Sequence, residues 1–235
     1  MLAKVPAAAQ RMWTSTQKFQ STTELCSIIN AAIRSDHPMI ISPAAVLTRG
    51  INQLCIARRV VSFGSSGGGT GGGANHLNDG VLDSLTVKFP TDGKTYRGAT
   101  LPDEHRAFYT VGTHYRVPGY LATSFNERVA KQFAKRAWQA AHDSSNEGKP
   151  AVVYVVQVDP AGEEDEDELC QNANYIANSL VPGEDEYLFV PYSVFTVTNV
   201  EWSPTPNYKK PHRIYIEASS DCMLEPEDLK LAPWY

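Results

Sequence analysis

Apolar residues recur at helical spacing in three stretches of the chain. Leu25, Ile28, Ile29, Ala32 and Ile33 fall at i, i+3, i+4, i+7 and i+8, which predicts an amphipathic helix over residues 21–34. Ser21-x-x-Glu24 at its start has the form of a capping box. A second helix is expected after Ser42, with Pro43 at its first position and Leu47, Ile51, Leu54 and Cys55 facing inward, ending near Arg59. The third covers 126–142 and gathers Val129, Ala130, Phe133, Ala134 and Ala137 on one face. Elsewhere the pattern is that of strands. Residues 85–89 are apolar and β-branched, 95–98 follow a Thr-Asp-Gly turn signal, and AVVYVVQV at 151–158 reads as a buried strand. Further strands are expected over 186–190, 194–202 and 213–217. Helices first and strands later place the chain in the α+β class.

Between the two regimes lies GSSGGGTGGG at 64–73, the composition of a flexible linker. It lacks the Lys-Ser or Lys-Thr of a P-loop and the helix-opening GxGxxG of a dinucleotide fold. The expected organisation is a flexible N-terminus (1–20) followed by one domain (21–235). That domain holds a helical lobe (21–60), the linker (64–73) and a β-rich core (81–235).

Composition narrows the function classes. The 235 residues are 42% hydrophobic and 20% charged, enough for a sizeable core. A net charge of −5 gives no general support for nucleic-acid binding. No segment approaches the roughly 20 apolar residues of a membrane span. Lys4, Arg11 and Lys18 precede the first acid, Glu24, but no long apolar run accompanies them, so no secretory signal is expected. Cys26, Cys55, Cys170 and Cys222 are scattered and form no CxxC, as free thiols of a reducing compartment would be. The six histidines have no metal-ligand spacing, and no metal is expected. The acidic run 163–168 reads as a solvated loop.

Three segments carry the candidate chemistry: Thr95-Tyr96-Arg97-Gly98-Ala99, Gly119-Tyr120-Leu121-Ala122-Thr123-Ser124-Phe125 and Gly183-Glu184-Asp185-Glu186-Tyr187-Leu188-Phe189. In an extended strand, residues two apart share a face, so Glu184 and Glu186 would serve one substrate while Asp185 points away. Their mutual repulsion would raise the pKa of at least one. Taken alone, an acidic turn after Pro182-Gly183 is the better explanation of them, since paired surface acids are common. Arg97-Gly98 offers a guanidinium for a phosphate beside unhindered backbone, and alone is an ordinary surface arginine. Thr123-Ser124 ahead of a helix is, alone, an N-cap.

Together and in this order the segments resemble the arginine-specific mono-ADP-ribosyltransferases of the R-S-E class, relatives of bacterial ADP-ribosylating toxins and vertebrate ecto-enzymes. The likeness runs from about Leu85 to Phe195, and its most specific piece is the E-x-E followed by an apolar strand and Pro191-Tyr192. It implies a helical lobe packed on two facing β-sheets with an NAD cleft between them. It also implies a role for each matching residue. Arg97 would bind the NAD phosphates or adjacent ribose, and the backbone of Gly98 the nicotinamide amide. Thr123 and Ser124 would brace the cleft. Glu186 would be the catalytic carboxylate and Glu184 would orient and deprotonate the target guanidinium. Phe133 stands where the family often stacks an aromatic on nicotinamide, but its helical spacing favours core packing over that role. Residues 171–182 would be the acceptor-recognition loop, with Tyr175 in it. One departure is clear: the first Ser of the family's Ser-Thr-Ser is Ala122 here.

The expected activity is transfer of ADP-ribose from NAD to an arginine of a target protein, with release of nicotinamide. NAD is the co-substrate, the acceptor is a protein with an exposed arginine, and neither nucleic acid nor membrane is an expected partner. A cytoplasmic monomer is expected, with a secreted effector as the alternative. An NAD glycohydrolase and an inactive NAD- or protein-binding module are the rival functions.

Overall fold

The computed structural model describes residues 4–15, 18–19, 23–35, 37, 39–42, 44–52, 92–144, 149–158, 172–176 and 183–233. The linker 64–73, the strand expected at 85–89, the acidic run 163–168, and Pro43, Leu54 and Cys55 of the second helix lie outside these residues. The chain forms two compact units, Met1–Lys88 with Asn174–Gly183, and Phe89–Ala173 with Glu184–Tyr235.

In the first unit, α1 (Lys4–Trp13) falls within residues 1–20, for which a flexible N-terminus was expected. Ala9 and Trp13, one turn apart, are buried with Gln10 and Thr14, and the Thr14 hydroxyl bonds the Gln10 carbonyl at 3.1 Å. A short antiparallel pair follows, β1 (Lys18–Phe19) with β2 (Thr23–Glu24). That pair delays the next helix. α2 spans Leu25–Arg34 with Glu24 as its N-cap residue and no side-chain cap bond, so it starts four residues later than the capping-box reading placed it. Ile29 and Ala32 are its buried residues. Residues 39–42 and 44–52 are helical as well, with Ala44 and Ile51 buried.

The second unit is built on a sheet. Its strands are β3 (Lys94–Thr100), β4 (His114–Arg116), β5 (Leu121–Ser124), β6 (Ala151–Gln157), β8 (Glu186–Phe189), β9 (Val194–Glu201), β10 (His212–Ala218) and β11 (Lys230–Leu231), with Ala173, the first residue of β7 (Ala173–Tyr175). The order of these strands is β11-β4-β9-β10-β6-β3-β5-β8. β6 is buried along nearly its whole length, as its unbroken valines predict, and pairs in parallel with β10. Most other ladders are antiparallel. The mixture of helix and strand is the class expected from the sequence.

Where two facing sheets were expected, the strands form one hydrogen-bonded order with a weak seam. β3 pairs with β6 over seven residues and β5 with β8 over four, but β3 and β5 meet only at Tyr96↔Ser124. A six-residue 3-10 helix (Asp103–Phe108) follows β3.

α3 (Glu127–Ser144) crosses β3 and β6. It lies very close to the sheet, because a Cβ at Gly98 would sit 1.7 Å from the Ala130 carbonyl oxygen and 2.6 Å from the Ala134 nitrogen. Ala130 and Ala134 are the buried residues of this helix, and Ala134 packs with Ala151, Val153 and the half-buried Trp138.

Candidate active site

The site is assembled at the seam. Arg97 on β3 extends its guanidinium to β5, where Nη1 donates to the Ala122 carbonyl at 2.9 Å. This bond joins the two strands one residue beyond their last backbone pair. It fixes a positive charge at the point where the sheet parts.

β5 carries the second set of contacts. The buried Thr123 hydroxyl donates to the Tyr187 carbonyl at 2.8 Å. Ser124 Oγ donates to the Glu184 carbonyl, and accepts the Asn126 N–H at 3.0 Å. Asn126 Oδ1 accepts the Arg128 N–H at 3.0 Å. Ser124 therefore does two jobs: it holds the turn that leads to Asn126, the residue that caps α3 in place of the expected Thr123-Ser124, and it ties that turn to the Glu184 backbone. The Phe125 N–H adds a parallel tie to the Asp185 carbonyl at 3.1 Å.

Glu186 begins β8 opposite Ser124 in register and is only 8% exposed, while Glu184 is half-buried. The alternation that was expected to put both acids on one face does not operate here. Asp185, between the two glutamates, has φ +43°, and Gly183, just before them, has φ +80°, so the backbone turns through the left-handed region at both points. What sets their relative orientation is this turn and its two ties to Ser124 and Phe125.

Gly98 lies on β3 under α3, and the crossing helix supplies a packing reason for the missing side chain. Phe133 is 41% exposed, which corrects the core-packing role that its spacing favoured. Its ring lies 5.5 Å from the Arg136 guanidinium. Among the described residues, no three His, Cys, Asp or Glu side chains converge as metal ligands would, and no helix is long and apolar enough to cross a membrane.

No protein-family model matches the sequence, and no curated protein matches it. Solved structures do. The Vis toxin, an ADP-ribosyltransferase from Vibrio splendidus, superposes with a TM-score of 0.58 at 16% identity over 97% of this chain and 78% of that one. Vis in complex with agmatine gives 0.52 at 16% identity, over 97% and 90%. HopU1, an ADP-ribosyltransferase of Pseudomonas syringae, gives 0.53 at 14% identity, over 91% and 75%. The chain has the fold of the bacterial ADP-ribosyltransferases.

Within this ADP-ribosyltransferase fold, the three sequence segments meet through Arg97, Ala122, Ser124 and Glu184. Three neighbours were not singled out from the sequence. Asn126 is one, and its signal was available: an Asn three residues before Val129, the first residue of the helical stripe. Tyr96, paired with Ser124, has its hydroxyl pKa raised, first by burial and then by Asp92, which accepts its O–H at 3.3 Å. Glu127 is the third. Burial pushes its carboxyl pKa up, but hydrogen bonds from Arg213 at 2.7 Å and Lys131 at 3.1 Å outweigh that and hold it below the ordinary range. Glu127 is thus committed to two cations, which removes it as a candidate for chemistry.

Proposed function

We propose that this chain transfers ADP-ribose from NAD to an arginine side chain of a protein, with Glu186 as the catalytic carboxylate and Glu184 as the base for the acceptor. The observation that carries the reading is the bonded seam: Arg97, Ser124 and the Glu184–Glu186 turn, distant in sequence, are tied together where β3 and β5 part. Breaking the bond between nicotinamide and ribose builds positive charge on the sugar. A fixed carboxylate beside that carbon stabilises it, and nicotinamide departs neutral without a protonating acid. Glu186, shielded in β8, supplies the carboxylate. Arg97 supplies the cation for the pyrophosphate, and Gly98 the backbone for the nicotinamide amide. Thr123 and Ser124 keep β5 and the turn in place. Phe133, exposed on α3, supplies a ring face for nicotinamide.

Arginine as acceptor rests on Glu184. A protonated guanidinium is a poor nucleophile and needs a positioned base. Agmatine is an amine that ends in the guanidinium of an arginine side chain, so the Vis–agmatine complex supports this reading at the level of shared fold.

Two substitutions test the assignment. Glu184→Gln is expected to lose transfer to an arginine-rich protein while still releasing nicotinamide to water, with both products followed in the same reaction. Equal loss of the two would assign Glu184 to the NAD site instead, and loss of neither would remove Glu184 as the base for the acceptor. Arg97→Lys keeps the charge but gives up the planar fork and its bond to Ala122. Calorimetry is expected to show NAD binding weakened on the order of tenfold; unchanged affinity would remove Arg97 from the phosphate site.

A further inference from the structure

Glu184 and Glu186 are held in place by different means. Glu186 belongs to β8 and is fixed by the ladder with β5, where Ser124 faces it in register and the Thr123 hydroxyl bonds the Tyr187 carbonyl. Glu184 precedes the strand and lies outside that ladder. Its carbonyl is tied to Ser124 Oγ, and the next carbonyl, of Asp185, to the Phe125 N–H. Both ties come from the short link between β5 and α3. Where α3 begins therefore sets where Glu184 stands, and bears far less on Glu186.

The first turn of α3 is in turn pinned to a distant strand. Arg213 near the start of β10 donates from Nη1 to Glu127 Oε1 at 2.7 Å, across 86 positions of sequence. β6 and β3 lie between β10 and β5, so this bond spans the sheet from the far side of the helix. Arg213 is itself oriented, because its Nε donates to the Tyr215 hydroxyl at 3.2 Å and that hydroxyl donates to Glu201 at 2.8 Å. The Glu127 and Arg213 side chains are both mostly covered, which limits screening of the pair by water. Lys131 reaches the same Glu127 oxygen at 3.1 Å, but it is half exposed and sits on α3 itself, so it cannot fix the helix to the sheet. Ala130 and Ala134 let the helix come close over Gly98 yet give the sheet little to interlock with. The ion pair supplies the lateral anchor.

We propose that Glu127 and Arg213 are a positioning pair for Glu184. The inference rests on the reading of Glu184 as the base for the acceptor. By pinning the first turn of α3 to β10, the pair keeps the Asn126 N–H, Ser124 Oγ and the Glu184 carbonyl in line. With the pair broken, the turn at 184–185 shifts while the β5–β8 ladder still holds Glu186. Cleavage of NAD needs Glu186 alone, whereas transfer to a guanidinium needs both acids in register.

The test follows nicotinamide and ADP-ribosyl-agmatine in one reaction of the full chain with NAD and agmatine. The ratio of ADP-ribosyl-agmatine to nicotinamide is expected to fall on the order of tenfold in Glu127→Gln and in Arg213→Gln, since small misplacements of a reacting group carry costs of this size. The double variant E127Q/R213Q should fall no further, because one interaction is lost in all three. Lys131→Met should keep the wild-type ratio, and Arg213→Lys should recover most of it by leaving a cation for Glu127. A variant that merely folds less well lowers both products together and leaves the ratio unmoved. An unchanged ratio in Glu127→Gln would overturn the proposal. So would losses that multiply in the double variant, or a Lys131→Met chain that behaves like Glu127→Gln. A wild-type chain that cleaves NAD but makes no ADP-ribosyl-agmatine would instead contradict the arginine reading itself, and this inference would fall with it.

Discussion

Glu186→Gln is expected to lower both ADP-ribose transfer and NAD hydrolysis by on the order of a hundredfold or more, with the fold intact. Gln keeps the shape of the side chain at a site that is only 8% exposed, so the packing around β8 is preserved. What is lost is the charge. A preorganised carboxylate in a shielded position interacts strongly with positive charge developing on the ribose, since little water competes with it. The loss falls on whichever acceptor follows, because the sugar carbon is common to transfer and hydrolysis. Thermal unfolding measured beside NAD cleavage separates this from misfolding. A variant that keeps more than about a tenth of wild-type cleavage, against that hundredfold expectation, would place the catalytic carboxylate elsewhere.

Gly98→Ala is expected to damage the molecule for a different reason. The added methyl would lie 1.7 Å from the Ala130 carbonyl oxygen and 2.6 Å from the Ala134 nitrogen, both backbone atoms of α3. A flexible side chain could swing aside, but a helix backbone has to move as a unit. Lifting α3 would also disturb Ser124 and Asn126, which lead into its first turn. The destabilisation is expected to be on the order of 3 kcal/mol, with NAD cleavage falling alongside it. Denaturant titration reads the first effect and nicotinamide release the second. Unchanged stability would mean that α3 shifts freely over β3, and that the close approach is not what keeps this residue a glycine.

These two positions also show how far the sequence could be read. The run at 151–158 and the alternation at 213–217 fall on β6 and β10, because burial on both faces and burial on one face leave different patterns. The paired glutamates were visible, yet their geometry was not. Whether Asp185 is extended or left-handed is decided with the help of hydrogen bonds from Ser124 and Phe125, about sixty residues away, which no local pattern encodes. Gly98 was legible as a glycine beside an arginine, but its packing constraint became visible only with α3 above it. The same close approach explains Phe133. A helix seated on a glycine presents small residues to the sheet, so Ala130 and Ala134 take the buried stripe and Phe133 is left outward. At the N-terminus Ala9 and Trp13, one helical turn apart, form the buried side of α1.

The most direct test of the account is a single reaction of the wild-type chain with NAD and agmatine, following nicotinamide and ADP-ribosyl-agmatine together. The account predicts that both products accumulate with wild type and that neither does with Glu186→Gln. A wild-type chain that binds NAD but releases no nicotinamide in the presence of a guanidinium acceptor would contradict it.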